Sequence, residues 1–244
     1  MTTSSELADK PETLARYREH VVAERNSGRS ASWAKARLDK TRLFCEWLVA
    51  NRYMRKLPLA IGRGWSKVGT DEPSPQYLTL TQVRKLWKLA DDRLKLASAL
   101  GLNCGYRAKD IQTLESSMID LKAGVIRRQR SKTGAAQIHC LWKVTKDLLR
   151  EHLENNSKPF AVGWSNISKE LTALIAEAGI EDRTAKAMRS TGAQFIEQAT
   201  GGKLPHVVDQ YLAHTDKRTA KHYREQELEE LFAAIRAVEI RLKL

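Results

Sequence analysis

The stretch GRGWSKVGTDEPSPQ, residues 62–76, contains Gly62, Gly64, Gly69, Pro73 and Pro75. Each proline forces extended backbone on itself and its predecessor, and glycine widens the choices of the rest. Regular structure does not run through such a segment, so it divides the chain. The expected organisation is a helical domain over residues 1–68, a linker over 69–77 and a larger domain over 78–244.

Charge is shared unevenly between those parts. The 244 residues hold 42 Lys+Arg and 29 Asp+Glu, a formal net charge of +13. Residues 1–68 carry 14 cations and 7 acids, and residues 69–244 carry 28 and 22, so the nets are +7 and +6. An excess of this size implies a polyanionic partner, nucleic acid first and an anionic membrane surface second. The membrane is the weaker choice, because the charge is not gathered on an amphipathic anchor. No apolar run approaches the roughly 20 residues of a membrane span. The opening MTTSSELADK lacks a basic and then apolar leader pattern. Cys45, Cys104 and Cys140 are widely spaced, with no C-x-x-C pair and no histidine cluster at ligand spacing. Neither a disulfide framework nor a structural zinc is expected, and a reducing, cytoplasmic and nucleoid-associated setting is.

The first part reads as helical. Pro11 suits a first turn, and Leu14, Tyr17 and Val21 recur on one face. Ser27-Gly28 interrupts the pattern. A second helix sets Leu38, Cys45 and Leu48 on one face and Lys35, Arg37, Lys40 and Arg42 on the others. Lys35 and Arg42 are candidate contacts to a DNA backbone, against the plainer reading of a solvated helix face.

The second part is helical around one sheet signal. Thr79 caps a helix carrying Val83, Leu86, Trp87 and Ala90, and another passes through Leu94, Ala97 and Leu100. Then Val125–Arg130 and Ala136–Leu141 flank Ser131-Lys132-Thr133-Gly134, a hairpin with glycine at the turn. Lys122, Arg127, Arg128, Arg130 and Lys132 fall in this region with no acid among them. Arg127, Arg128 and Arg130 are therefore further candidates for phosphate contact, with a charge-protected sheet edge as the alternative. Helical periodicity returns through Leu148, Leu149 and Leu153; Ile167, Leu171, Leu174 and Ala178; Met188, Phe195 and Ile196; and Leu228, Leu231, Phe232, Ile235 and Ile240. The fold class is mainly α (α+β): a small N-terminal helical domain and a mostly helical second domain with a small antiparallel sheet.

Common catalytic signatures are missing from the sequence. There is no phosphate-binding glycine loop of either familiar spacing and no H-E-x-x-H. Asp91-Asp92 is the one adjacent Asp pair, inside a helical stretch, and two-metal hydrolysis needs more carboxylates than that. Cations can take the place of metal, since arginines clamp nonbridging phosphate oxygens. Arg107 follows Cys104-Gly105-Tyr106; Lys132 sits at the hairpin turn; Lys186-Ala187-Met188-Arg189 lies on a helix; Leu212-Ala213-His214 is followed nine residues later by Tyr223.

That set, in that order, resembles the tyrosine recombinase (phage integrase) family over about residues 79–224. The family pattern opens a helix with glycine and arginine, here Gly105-Tyr106-Arg107 with Asp110 and Leu114. It continues with a hairpin lysine (Lys132), H-x-x-R (Lys186 to Arg189) and leucine-small-histidine with a later tyrosine (Leu212 to Tyr223). Lys186 stands where histidine is usual, Asp110 where glutamate is, and Ala213 where glycine is. The N-terminal domain is short for the family.

The resemblance implies a fold like that of DNA breaking-rejoining enzymes and a site-specific recombinase acting on double-stranded DNA. It gives Tyr223 the role of nucleophile, Arg107 and Arg189 that of phosphate clamp, and His214 that of phosphate hydrogen-bond partner. Lys132 becomes the acid for the leaving 5′-oxygen, and Lys186 a support for the clamp or for proton transfer. It implies no metal, no other cofactor and no ATP. It also implies a homotetramer on paired sites, accessory DNA-bending proteins, and a C-terminal segment docked on a neighbouring protomer. Relaxation of the type IB topoisomerase kind and a DNA-binding relative without catalysis are the alternatives.

Overall fold

The computed structural model describes residues 11–71, 76–129, 134, 136–154, 160, 163–214 and 225–244. The chain separates into two compact units, residues 1–74 and 75–244.

The first unit is built on α1 (Pro11–Asn26) and α2 (Ala31–Ala50). The Ser30 hydroxyl accepts from the Trp33 N–H at 3.1 Å, which starts α2. Leu14 and Val21 of α1 meet Ala34, Leu38 and Cys45 of α2 in one apolar core. Part of the glycine-rich stretch is held by this unit. Trp65 is buried in the same core and its indole N–H donates to the Leu38 carbonyl at 2.9 Å. Arg18 donates to the carbonyls of Trp65 and Lys67, and the Asp71 carboxylate accepts from the first N–H of α2 at 2.7 Å. An indole finding a pocket and a carboxylate finding a helix end outweigh local backbone freedom.

The second unit opens on α3 (Leu80–Leu89), where Thr79 and Gln82 exchange side-chain and backbone hydrogen bonds in a capping box. Asp91 accepts from the Leu94 N–H at 2.7 Å and starts α4 (Asp92–Cys104); Asp92 pairs with Lys95. The Asp pair is thus a helix start. From Leu96 to Cys104 every residue of α4 is buried, so this helix is the axis of the unit. After α5 (Ala108–Gln112) come β1 (Ile119–Asp120), β2 (Val125–Gln129) and β3 (Ala136–Cys140), antiparallel in the order β1-β2-β3. In the register Ile126 faces His139 and Arg128 faces Gln137. Gly134 has φ +67°, the positive value expected at the turn.

Helices α6 (Lys143–Glu154), α7 (Ile167–Glu177), α8 (Lys186–Ala199), α9 (Pro205–Tyr211) and α10 (Glu225–Leu242) follow. Helix α8 approaches α4 closely because Gly101 and Gly192 leave room. A Cβ on Gly101 would stand 2.7 Å from the Cβ of Met188. Helix α10 packs on its own unit. Leu231, Ile235, Val238 and Leu242 are buried, and the Trp142 indole donates to the Ile235 carbonyl at 2.8 Å. Ile240, grouped with that apolar set in the sequence, is 73% exposed because it lies off the stripe formed by 235, 238 and 242. No described helix is long and apolar enough to cross a membrane, and no cluster of metal-ligating side chains occurs among the described residues.

Candidate active site

Three segments carry the candidate residues that the structure describes. The first is the exit from α4. Gly105 closes that helix at φ +63°, in the left-handed region, where a Cβ would crowd the ring of Tyr211. The chain then turns so that Tyr106 is buried and Arg107 is exposed. The Arg107 N–H donates to the Asp110 carboxylate at 3.0 Å, leaving the guanidinium with no side-chain hydrogen bond among the described residues. Asp110 thus holds the Arg107 backbone, and the charge of Arg107 faces solvent.

The second segment is α8. Lys186 is its first residue and is exposed; Arg189, one turn on, is 4% exposed. The Arg189 guanidinium donates to the carbonyl of Gly105 and to the carbonyl of Leu212. One side chain therefore ties the turn before Arg107 to the turn before His214.

The third segment follows α9. Ala213 adopts φ +46°, a left-handed conformation that costs a residue with a Cβ about 1–2 kcal/mol. Here the usual glycine of the resembled pattern has a physical reason. The His214 N–H donates to the Asp209 carbonyl at 2.9 Å, and its Nδ1 lies 3.4 Å from the Asp209 carboxylate. The imidazole is half exposed. Arg107, Arg189 and His214 thus stand on segments joined by Arg189. Tyr223, Lys132 and Arg130 lie outside the described residues.

The candidate DNA contacts divide. Lys35 and Arg42 are exposed on α2, each paired one turn on, with Asp39 at 2.6 Å and Glu46 at 2.8 Å. Lys35 and Arg42 help hold the Asp39 carboxyl below its usual range, with the Lys35 hydrogen bond the leading cause. Arg127 is exposed on β2, 4.0 Å from Asp120. Arg128 corrects the expectation of a phosphate contact. Its side chain is 2% exposed and turned inward, 3.5 Å from the Asp110 carboxylate, and it donates to the Asp110 carbonyl and to Thr113. It also stands over the Tyr106 ring at 5.2 Å. Neighbouring strand residues face opposite ways, so a run of cations on β2 cannot all reach one partner.

The sequence reading missed what surrounds these residues. His139 on β3 is fully buried between Tyr106 and Tyr211, with edge-on ring contacts at 5.6 and 5.8 Å. Its Nε2 lies 3.1 Å from the Tyr211 carbonyl. Burial, aided by the charges of Arg189 and Arg128, lowers its pKa to about 4. The Tyr211 hydroxyl donates to the carbonyls of Leu102 and Gly101 near the end of α4, and burial raises its pKa well above the usual phenol value. A lone histidine or tyrosine in an apolar run gives no periodic signal of such a role.

The phage integrase family profile matches residues 76–230. Among solved structures, a lambda integrase dimer bound to a COC′ core site superposes with a TM-score of 0.66 at 17% identity, covering 91% of this chain and 82% of that one. The integrase from mycobacterium phage Brujita gives 0.58 at 16% identity, covering 97% and 78%. The Tn1549 transposon integrase in complex with a circular intermediate DNA gives 0.61 at 12% identity, covering 93% and 84%. No curated protein matches the chain in sequence. At these identities the structures speak for the fold, and they agree with the helices and small sheet described above. The profile covers well over half of the chain, including the segments that Arg189 joins, and on that ground the chain belongs to the phage integrase family.

Proposed function

We propose that the protein is a site-specific recombinase that cleaves and rejoins duplex DNA through Tyr223, without metal or ATP. The observation that carries this reading is the Arg189 bridge between the Gly105 and Leu212 carbonyls, which couples the segments of Arg107 and His214. A rigid scaffold of this kind suits a reaction whose barrier is lowered by fixed positive charge around a phosphate.

The Tyr223 hydroxyl gives its proton to solvent water as its oxygen bonds to phosphorus, and the bond from phosphorus to the 5′-oxygen breaks. The departing oxygen takes a proton from Lys132, and a 3′-phosphotyrosyl link remains. Arg107 and Arg189 bind the nonbridging oxygens, His214 donates a hydrogen bond to them, and Lys186 reinforces the cationic setting. A phenol with its usual pKa of about 10 needs that setting to become nucleophilic. The link retains the phosphodiester energy, so a 5′-hydroxyl from a second duplex reverses the step. Strand exchange of this kind requires a homotetramer on two paired sites. Lys35, Arg42 and Arg127 supply contacts to the DNA backbone.

The test uses a nicked suicide duplex carrying a site mapped by searching the DNA around the gene for repeats. On a denaturing gel the wild-type protein yields a covalent adduct and Tyr223→Phe yields none. An adduct that persists in Tyr223→Phe overturns the assignment. Supercoil relaxation by a monomer, with no joint products between two sites, would point to topoisomerase chemistry instead.

A further inference from the structure

Resting on that reading, we propose that His139 is a positioning residue, whose Nε2–H holds the Tyr211 carbonyl and thereby sets the turn that carries His214. The last carbonyls of a helix have no partner within it and must be satisfied elsewhere. The Val208 carbonyl accepts from Leu212, that of Asp209 from His214 and that of Gln210 from Ala213. The next two, Tyr211 and Leu212, are met by side chains from other elements: His139 from β3 and Arg189 from α8. Consecutive carbonyls are therefore pinned from two directions, directly before the left-handed Ala213 and His214.

The chemistry of the pair fixes the state of the imidazole. A carbonyl only accepts, so Nε2 must carry the proton. Nδ1 is buried without a partner among the described residues, and Arg189 and Arg128 disfavour a second proton. His139 is thus a neutral donor rather than a participant in proton transfer. Its ring also rests edge-on against Tyr106, the neighbour of Arg107. Burial keeps it from touching DNA, so its influence passes through Tyr106 and Tyr211.

The experiment compares His139→Leu, which loses the donor, with His139→Gln, whose amide N–H can reach the same carbonyl. Hydrogen exchange at the Ala213 and His214 amides is expected to accelerate about tenfold in His139→Leu and to return toward wild type in His139→Gln. On the suicide duplex, adduct formation falls about 100-fold in the leucine variant, as a small misplacement of reacting groups allows. Duplex binding stays within about twofold, and glutamine restores most of the rate. Unchanged exchange in His139→Leu, or no recovery with glutamine, overturns the proposal. Should the variants not fold, the wild-type ring nitrogens decide it by NMR: a proton on Nδ1 instead of Nε2 overturns it. If wild-type protein forms no adduct, the recombinase reading fails, while exchange and tautomer still judge His139.

Discussion

Lys35 and Arg42 of the first unit do different work from Arg128 and Arg189 of the second. On α2, Lys35 and Arg42 point into solvent and pair with Asp39 and Glu46 one turn away. In the second unit Arg128 and Arg189 are buried and donate to the carbonyls of Asp110, Gly105 and Leu212. Each adds one unit to the formal charge. An exposed pair holds its arginine or lysine only weakly, so a phosphate can displace the acid. A buried guanidinium bound to backbone is part of the scaffold, and the phosphate clamp proposed for Arg189 must use N–H groups other than those its two carbonyls take. Net charge announces a polyanionic partner, but it overcounts the groups free to meet one.

The largest difference is expected between an exposed and a buried arginine of the same site. Arg107→Ala and Arg189→Ala should each lower adduct formation on the suicide duplex about 1,000-fold. Arg107→Ala should melt with the wild type. Arg189→Ala leaves two carbonyls unpaired and should melt roughly 10 °C lower. Equal melting points would show that burial of Arg189 contributes nothing. A second pair lies on one strand. Arg128→Ala strands the Asp110 carboxylate and should cost about 3 kcal/mol in denaturant unfolding. Arg127→Ala should cost less than about 0.5 kcal/mol.

Acid gives a third test, because a buried neutral histidine resists the proton. His139 titrates near pH 4 in the fold, against about 6.5 when unfolded. Between those values the unfolded chain holds more protons. The stability is therefore complete above about pH 6.5 and declines as pH falls toward 4, by about 3 kcal/mol in all. His139→Leu should lose that part of the pH slope in urea titrations. Fourth, Lys35→Ala with Arg42→Ala should weaken duplex binding, and reduce the slope of log affinity against log salt by about two, with no change in melting. The smallest effect is expected at Ala213. Glycine relieves the positive φ but gives up a buried methyl, and should raise stability by a few tenths of a kcal/mol.

Much of the fold was legible because its signals are local. Thr79 with Gln82, the apolar spacings of α7 and α8, and the glycine of the hairpin each act within a few residues. Helix α9, with seven residues, and β1, with two, span too little of a period to announce themselves. The inward turn of Arg128 and the burial of Trp65 depend on where the cores lie, which no short window records. The order of the candidate residues was legible through the family resemblance. His139 was not, because its role comes from two tyrosines that fold over it from α9 and from the exit of α4.

The holding of α3 has a consequence for how the second unit acquires its structure. This helix comes first in the unit, yet Leu78 beside it donates to Thr191, Lys85 to the Ala178 carbonyl and Arg84 to the Leu242 carbonyl. Those contacts close loops of 93 to 158 residues, so the opening helix waits for the closing one. Closing loops of that length costs chain entropy and slows the docking of α3. The Arg189 bridge spans 84 residues to Gly105, so a chain in which that long-range contact has not formed carries Arg107 and His214 without their common support.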